Sequence, residues 1–143
     1  MIDYICLAWA RKHNQLKEYL AATPQSEYAS YEGLLAAAIK FVVNPFLQDN
    51  YLEPFSTNID VVDNGGYQGT LILLAHKDSY QPDAIEYILT YAWYGSCSGC
   101  DTIMHISHYD EGIPSESQVA DYMTLALHLL QRAVEPFKEL WDE

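Results

Sequence analysis

The sequence predicts an α+β fold in which two N-terminal helices precede a three-stranded antiparallel meander and a long C-terminal helix (order ααβββα). Apolar residues recur at helical spacing near both ends of the chain, whereas the period changes to two in the middle, which is typical of strands. Helices and strands are therefore segregated along the chain, and such sequences place their helices on one face of a sheet. The 143 residues, of which 50% are hydrophobic, fit a single domain spanning 1–143.

The first two elements are predicted helices. Residues 3–21 carry one apolar stripe, formed by Ile5, Trp9, Leu16 and Leu20. Thr23-Pro24 should end this helix, because the residue before a proline avoids the α region. A second helix over about 29–43 is apolar nearly all round, which predicts that it is buried, and Ser30 is placed to cap its start. Asn44-Pro45 should stop it.

The meander follows an irregular stretch. Ile59–Val62 is a short strand, and Asp63–Gly66 contains an Asn-Gly pair of the kind that tight hairpin turns require. Tyr67–His76 is the returning strand, and 77–83 forms a second turn. The third strand, Ile85–Tyr94, alternates, so that its odd-numbered and even-numbered residues face opposite sides of the sheet.

The last helix has the clearest pattern. Ser115 and Gln118 have capping-box spacing. Apolar residues then repeat on one side, namely Val119, Met123, Ala126, Leu127, Leu130 and Val134. Pro136 should end or kink this helix. Between the third strand and this helix, a glycine-rich turn leads into residues 102–109, whose pattern fits neither a helix nor a strand decisively.

The charge excludes several function classes. The chain has 7 Lys+Arg against 20 Asp+Glu, a formal net charge of -13. Residues 1–50 carry 5 acidic and 4 basic residues, 51–109 carry 7 acidic and 1 basic, and 110–143 carry 8 acidic and 2 basic. Most of the net negative charge therefore lies in the last two-thirds of the chain. This balance argues against direct nucleic-acid binding and against docking on an anionic membrane. It favours a basic partner, although it also serves solubility.

Two cysteines and two histidines form the main candidate for a metal site. Cys97, Cys100 and His105 have the C-x2-C-x4-H spacing of the first three ligands of a zinc knuckle. The fourth ligand of that pattern falls on Asp110, and His108 is a nearer alternative. Zinc is therefore the cofactor that this cluster would hold. The nucleic-acid function of zinc knuckles does not transfer, because knuckles normally lie on basic chains.

Three other interpretations of the same cluster remain open. Cys97 and Cys100 fit small buried turn residues, with the histidines on the surface, and this interpretation needs no ligand. The pair also follows a strand as a redox Cys-x-x-Cys does, but Asp101 would raise the pKa of an adjacent thiol. Finally, Cys97 could act as a nucleophile with His105 or His108 as its base.

Three segments resemble a group of small uncharacterised proteins encoded by bacteriophages and prophages. They are Gly66–Thr70, Tyr94–Thr102, which contains YGSCSGCD, and Asp121–Leu125. The resemblance covers roughly residues 60–130 and carries no activity or site residue with it. It implies a phage protein acting in the cytoplasm of a bacterial host. An N-terminus unlike a signal peptide and an odd number of cysteines, 3, agree with that compartment.

These features predict an acidic, non-enzymatic interaction protein that binds and inhibits a host defence or nucleic-acid-processing protein, as anti-CRISPR and anti-restriction proteins do. The expected partner is a basic host protein, a nuclease or a nucleic-acid-binding factor, held by electrostatic complementarity. Acidic residues at strand ends and turns should share one rim and bind it, namely Asp60, Asp63, Asp78, Asp83, Glu86, Asp101, Asp110 and Glu111. The edges of the sheet also allow a homodimer.

Two alternatives belong to other classes. One is a small zinc-binding or thiol-dependent enzyme built on Cys97, Cys100, His105 and His108. The other is a binding protein that sequesters a signalling nucleotide, which the scarcity of Lys and Arg beyond residue 50 opposes.

Overall fold

The computed structural model describes residues 2–65, 69–79, 81–83, 86–96, 99 and 101–135, leaving aside the side chains of residues 2, 3 and 64. The elements in chain order are α1 (Ile2–Ala22), α2 (Tyr31–Ala38), α3 (Asn44–Asp49), β1 (Asp60–Gly65), β2 (Gly69–His76), β3 (Tyr87–Tyr94), α4 (Thr102–Ser107) and α5 (Glu116–Gln131). The strands form one antiparallel sheet in the order β1-β2-β3. The predicted α+β class and the ααβββα order are confirmed. Within the described part of the chain, no helix is both long and apolar enough to cross a membrane.

The second helix does not end at Asn44-Pro45, and that prediction is wrong. The backbone widens into a π-helical turn over Ile39–Val43 and continues as α3. Pro45 then lies in the first turn of α3, where the missing N–H of a proline costs nothing. Asn44 does not end the helix, and its side chain instead binds the backbone of Phe55. Its amide donates to the Phe55 carbonyl at 2.9 Å and accepts from the Phe55 N–H at 2.8 Å.

The first hairpin is longer than predicted. β1 runs on to Gly65, with Asn64 opposite Thr70 and Gly65 opposite Gly69. Asn64 and Gly65 are therefore paired strand residues, and the assignment of Asp63–Gly66 as the turn is wrong because the pairing continues past it. The connection falls on residues 66–68, which lie outside the described residues. The predicted strand starts at Tyr67 and Ile85 also lie outside them, while β2 and β3 begin at Gly69 and Tyr87.

The helices cover one face of the sheet, which we call the inner face. Its central residues are buried, namely Leu73, Ala75, Ile88, Thr90 and Ala92. They join one hydrophobic core with α1, α2, α4 and α5. The Thr90 hydroxyl donates to the Leu129 carbonyl at 2.7 Å and so ties β3 to α5. Since a buried hydroxyl needs a partner, this bond explains how a polar residue is tolerated there.

The last helix begins as predicted, with the Ser115–Gln118 capping box present. It ends at Gln131, before Pro136, which lies outside the described residues. The chain then turns back, and Val134 pairs with Leu89 along the free edge of β3. Residues after α5 therefore cover one edge of the sheet, whereas β1 forms the other.

Candidate functional site

The face of the sheet opposite the helices carries an exposed apolar surface, which we call the outer face. It is formed by Val62, Ile72, Leu74, Tyr91 and Trp93, one row of alternate residues from each strand. Val62 lies opposite Ile72, and Ile72 lies opposite Tyr91, so these three side chains run side by side across the sheet. Trp93 is 66% exposed and Val62 is 52% exposed. Contiguous exposed apolar side chains are a feature that protein interaction sites share, so this face is the candidate site.

A tryptophan, a tyrosine and an arginine form the most ordered part of the outer face. The rings of Tyr91 and Trp93 meet edge-on, with their centroids 5.7 Å apart. The guanidinium of Arg132 lies 5.3 Å from the centroid of the Tyr91 ring, and its Nη1 donates to the Tyr91 carbonyl at 3.4 Å. These contacts hold the exposed groups in place before any partner arrives. Trp, Tyr and Arg are also the residues that carry most binding energy in protein interfaces.

Strand β1 borders this surface and is open on both sides. Val61 is 41% exposed on the inner face and Val62 is 52% exposed on the outer face. Within the described residues, β1 pairs only with β2, so its other edge has unpaired backbone groups. Asp60 and Asp63 flank the two valines. Like charges on an edge strand oppose pairing with a second copy of the chain.

The carboxylate of Asp63 is held by a tyrosine. It accepts a hydrogen bond from the Tyr94 hydroxyl at 2.6 Å. This bond, followed by burial and by the carboxylate charge, raises the pKa of Tyr94 above its ordinary value. The hydroxyl therefore stays protonated and keeps the Asp63 carboxylate in place on the inner side of the sheet, opposite Leu71.

The eight predicted partner-binding acids lie in separate places. Asp60 and Asp63 are on β1. Asp78 and Asp83 are exposed beyond the end of the sheet where β2 and β3 are joined, and Glu86 lines a cavity at that same end. Asp110 and Glu111 lie between α4 and α5, where the Glu111 carbonyl accepts from the Ser26 N–H at 3.3 Å. Of these acids, only Asp60 lies on the outer face, opposite Leu74.

Asp101 belongs to the interior, so its assignment to a partner-binding surface is wrong. The residue is 5% exposed. Its carboxylate caps α4 by accepting from the Met104 N–H at 3.1 Å, and it also accepts from the Gly95 N–H at 2.9 Å and the Tyr31 hydroxyl at 3.0 Å. Both oxygens are thus committed to protein donors. Residues 102–107, which the sequence left undecided, form a helix behind this cap.

The predicted zinc site falls partly outside the described residues, because Cys97 and Cys100 are not among them. His105 is exposed on α4, and His108 is the exposed C-cap, with the left-handed φ of 48° and ψ of 45°. Among the residues that are described, no group of three His, Cys, Asp or Glu side chains is arranged to hold a metal. Zinc binding therefore stays a prediction, which elemental analysis of the purified protein would decide.

Comparison of the chain with protein-family models, with curated proteins and with solved structures finds no match. The surface of the molecule is therefore the basis for inferring its function.

Sequence reasoning missed the residues of this surface. Alternation placed Tyr91 and Trp93 on the same face of the third strand but did not say which face is buried. A usable signal was the size of the side chains. The buried row of β3 contains Thr90 and Ala92, which are small enough for α5 to approach closely, while the bulky aromatic row faces away.

Proposed function

We propose that this chain is an interaction protein that docks the outer face of its sheet on a basic partner protein and blocks that protein's nucleic-acid-binding surface. The observation that carries the proposal is the exposed Trp93, which lies beside Tyr91 and Arg132 on an otherwise aliphatic face. The partner is a host nuclease or nucleic-acid-binding factor of the defence or nucleic-acid-processing machinery. The protein acts in the cytoplasm of a bacterium and catalyses no reaction itself.

The apolar residues supply the binding energy in this proposal. Trp93 and Val62 lose their remaining contact with water when a partner covers them, and Tyr91 and Arg132 are already held in position. Truncation of a central aromatic residue in an interface costs about 2 kcal/mol or more. That cost corresponds to roughly a 30-fold weaker Kd.

The negative charge makes the chain select a basic partner and raises the rate at which the two proteins associate. A net charge of -13 attracts a basic protein and repels nucleic acid, so the two compete for the same cationic surface. Asp60 places an exposed carboxylate on the outer face, opposite Leu74, and Asp63 adds a second exposed carboxylate on the same edge strand. Because exposed charges are screened beyond about 10 Å at 0.1 M salt, association should slow as salt is added while the apolar contacts persist.

The test compares three tagged proteins on bacterial lysate at low and moderate salt: the wild type, Trp93→Ala and Tyr109→Ala. Tyr109 is a matched control, since it is 67% exposed but lies at the end of α4, away from the sheet. The wild type and the control should recover the same basic protein, and Trp93→Ala should lose it. The recovered protein, once purified, should then bind either this chain or its nucleic acid, but not both together.

Two results would contradict the proposal. One is equal recovery of that protein by Trp93→Ala. The other is self-association through the outer face, seen as a dimer in sedimentation that Trp93→Ala converts to a monomer.

A further inference from the structure

A cavity of about 470 Å³ lies between α1, α3 and the end of the sheet where β3 begins. Its apolar wall includes Phe46, Phe55 and Ile88, and its polar wall includes Tyr4, Glu86 and Glu135. This volume falls within the range of about 300–1,000 Å³ that is typical of small-molecule sites. The combination of a mostly apolar wall with a few converging polar groups is also typical of such sites.

Glu86 has a carboxylate oxygen to which no described residue donates a hydrogen bond. Its Oε2 is buried from solvent, and among the described residues it is the one buried side-chain polar atom that makes no hydrogen bond. Burying a charged acceptor without a donor is costly, so such atoms in native proteins usually meet a water molecule or a ligand. A ligand that places a donor in this cavity would remove that cost.

Lys77 does not fill this role, although it lines the same cavity. Its Nζ donates to the Glu53 carbonyl at 2.7 Å and lies 4.3 Å from the centroid of the Phe55 ring. Burial lowers its pKa. The ammonium of Lys77 is held by a backbone carbonyl and an aromatic ring, and among the described residues it makes no hydrogen bond to Glu86 Oε2.

We propose that this cavity binds a small organic amine, whose ammonium group donates to Glu86 Oε2 and whose apolar body packs against Phe46, Phe55 and Ile88. An ammonium donor is favoured over a neutral one, because a hydrogen bond between two charged groups is stronger than one with a neutral donor. The aromatic wall accepts cations as well, since the guanidinium of Arg11 lies 5.9 Å from the Phe46 ring and the ammonium of Lys77 lies over Phe55. The Glu86 carboxylate opposes an anionic ligand.

Tyr4 strengthens the polar wall. Burial, and to a smaller extent the charge of Glu135, raises the pKa of its hydroxyl far above the ordinary value. The hydroxyl is therefore neutral at pH 7 and adds no charge that would compete with the carboxylates for the amine. Its ring stacks on Phe46, with the centroids 6.2 Å apart, so the wall is fixed before the ligand enters.

The first experiment uses the wild-type chain and three probes of the same shape: phenethylamine, 2-phenylethanol and 3-phenylpropanoate. Each is titrated at pH 7 while amide shifts are followed by NMR. The amine should bind at least tenfold tighter than the alcohol and the carboxylate, with the largest shifts at Tyr87 and Ile88, which line the cavity. Equal affinities would overturn the proposal, and so would an amine that shifts none of the cavity amides.

The second experiment uses Glu86→Gln, with Glu18→Gln as its control. Both variants remove one negative charge, but Glu18 is exposed on α1 and does not line the cavity. Glu86→Gln should weaken the amine at least tenfold and leave the alcohol unchanged, whereas Glu18→Gln should change neither by more than about twofold. An unchanged amine affinity in Glu86→Gln contradicts the proposal. If Glu86→Gln does not fold, the comparison of the three probes on the wild-type chain still tests the proposal.

The cavity is separate from the outer face, so Trp93→Ala should bind the amine with the same affinity as the wild type.

Discussion

The inner and outer faces of the sheet are built from alternate residues of the same strands and yet differ in almost every respect. On β2, Leu73 is fully buried beneath the helices, while its neighbour Ile72 is only partly buried. On β3, the inner Ala92 is small and buried, while the outer Trp93 is large and 66% exposed. We therefore expect the inner row to stabilise the fold more than the outer row does.

This difference shows that the outer face is not simply the solvated side of a one-sided sheet. An antiparallel sheet with one solvated face normally alternates apolar residues with polar ones. Here the middle of the outer row of β2 and β3 is also apolar or aromatic, as Ile72, Leu74, Tyr91 and Trp93 show, while the polar Thr70 and His76 lie at its two ends. We propose that a partner covers this face, and variants on the two faces distinguish a role in binding from a role in folding.

The largest effect on stability is expected for the inner face. Leu73→Ala removes a fully buried side chain and leaves a cavity, so it should lower the free energy of unfolding by about 3–4 kcal/mol. Ile72→Ala, the matched variant one residue away on the outer face, should lower it by less than about 1 kcal/mol. Urea denaturation followed by circular dichroism measures both. Equal losses would mean that both faces are covered.

A somewhat smaller loss is expected at the junction of the sheet and α4. Asp101→Ala leaves the Gly95 N–H, the Met104 N–H and the Tyr31 hydroxyl without their acceptor, which should cost about 2–3 kcal/mol. Asp101→Asn keeps one acceptor oxygen and should lose less. The exposed Asp83→Ala is the control and should stay within about 0.5 kcal/mol of the wild type. Should Asp101→Ala match that control in urea, the capping role assigned here would be refuted.

The helical side of the molecule should also be sensitive to alkali. Burial raises the pKa of Tyr31 and of Tyr122 to about 12, from an ordinary value of 10.0. Their contribution to stability is therefore complete below pH 10 and is lost as the pH rises from about 10 to 12. The urea midpoint should fall between pH 9 and pH 11.5, and less steeply in Tyr31→Phe. Tyr51→Phe, at a 98% exposed position, should follow the wild type. A midpoint that does not change with pH would contradict this.

The fold class was predictable because apolar residues repeat at helical spacing in some segments and at every second residue in others, and these segments do not overlap. Local signals for helix ends and turns were less reliable. Pro45 is a typical signal for the end of a helix, but here the helix continues past it through a π-helical turn at Ile39–Val43. The local sequence contains no signal that predicts such a turn. Likewise, Asn64-Gly65 has the composition of a turn, yet it is paired with β2 because the register is set by the whole hairpin.

The candidate sites were harder to predict because they depend on which residues remain uncovered. The prediction of one acidic rim assumed that turn residues are exposed, whereas Asp101 is buried as a helix cap. Tyr91 and Arg132 come together because α5 ends beside β3, and Tyr91 in turn contacts Trp93. The cavity joins Tyr4 of α1 to Glu86 at the start of β3, and no spacing in the sequence links them.

The smallest effect on stability, and the most informative comparison, is expected for Trp93→Ala. Because the side chain is 66% exposed, its removal should change the free energy of unfolding by less than about 1 kcal/mol. The same substitution should weaken binding to the partner captured by the wild type by roughly 30-fold. A calorimetric titration with that partner, set beside urea denaturation of the free variant, separates the two quantities. A variant that loses stability and binding in equal measure would show that Trp93 serves the fold, and the functional distinction between the two faces would then fail.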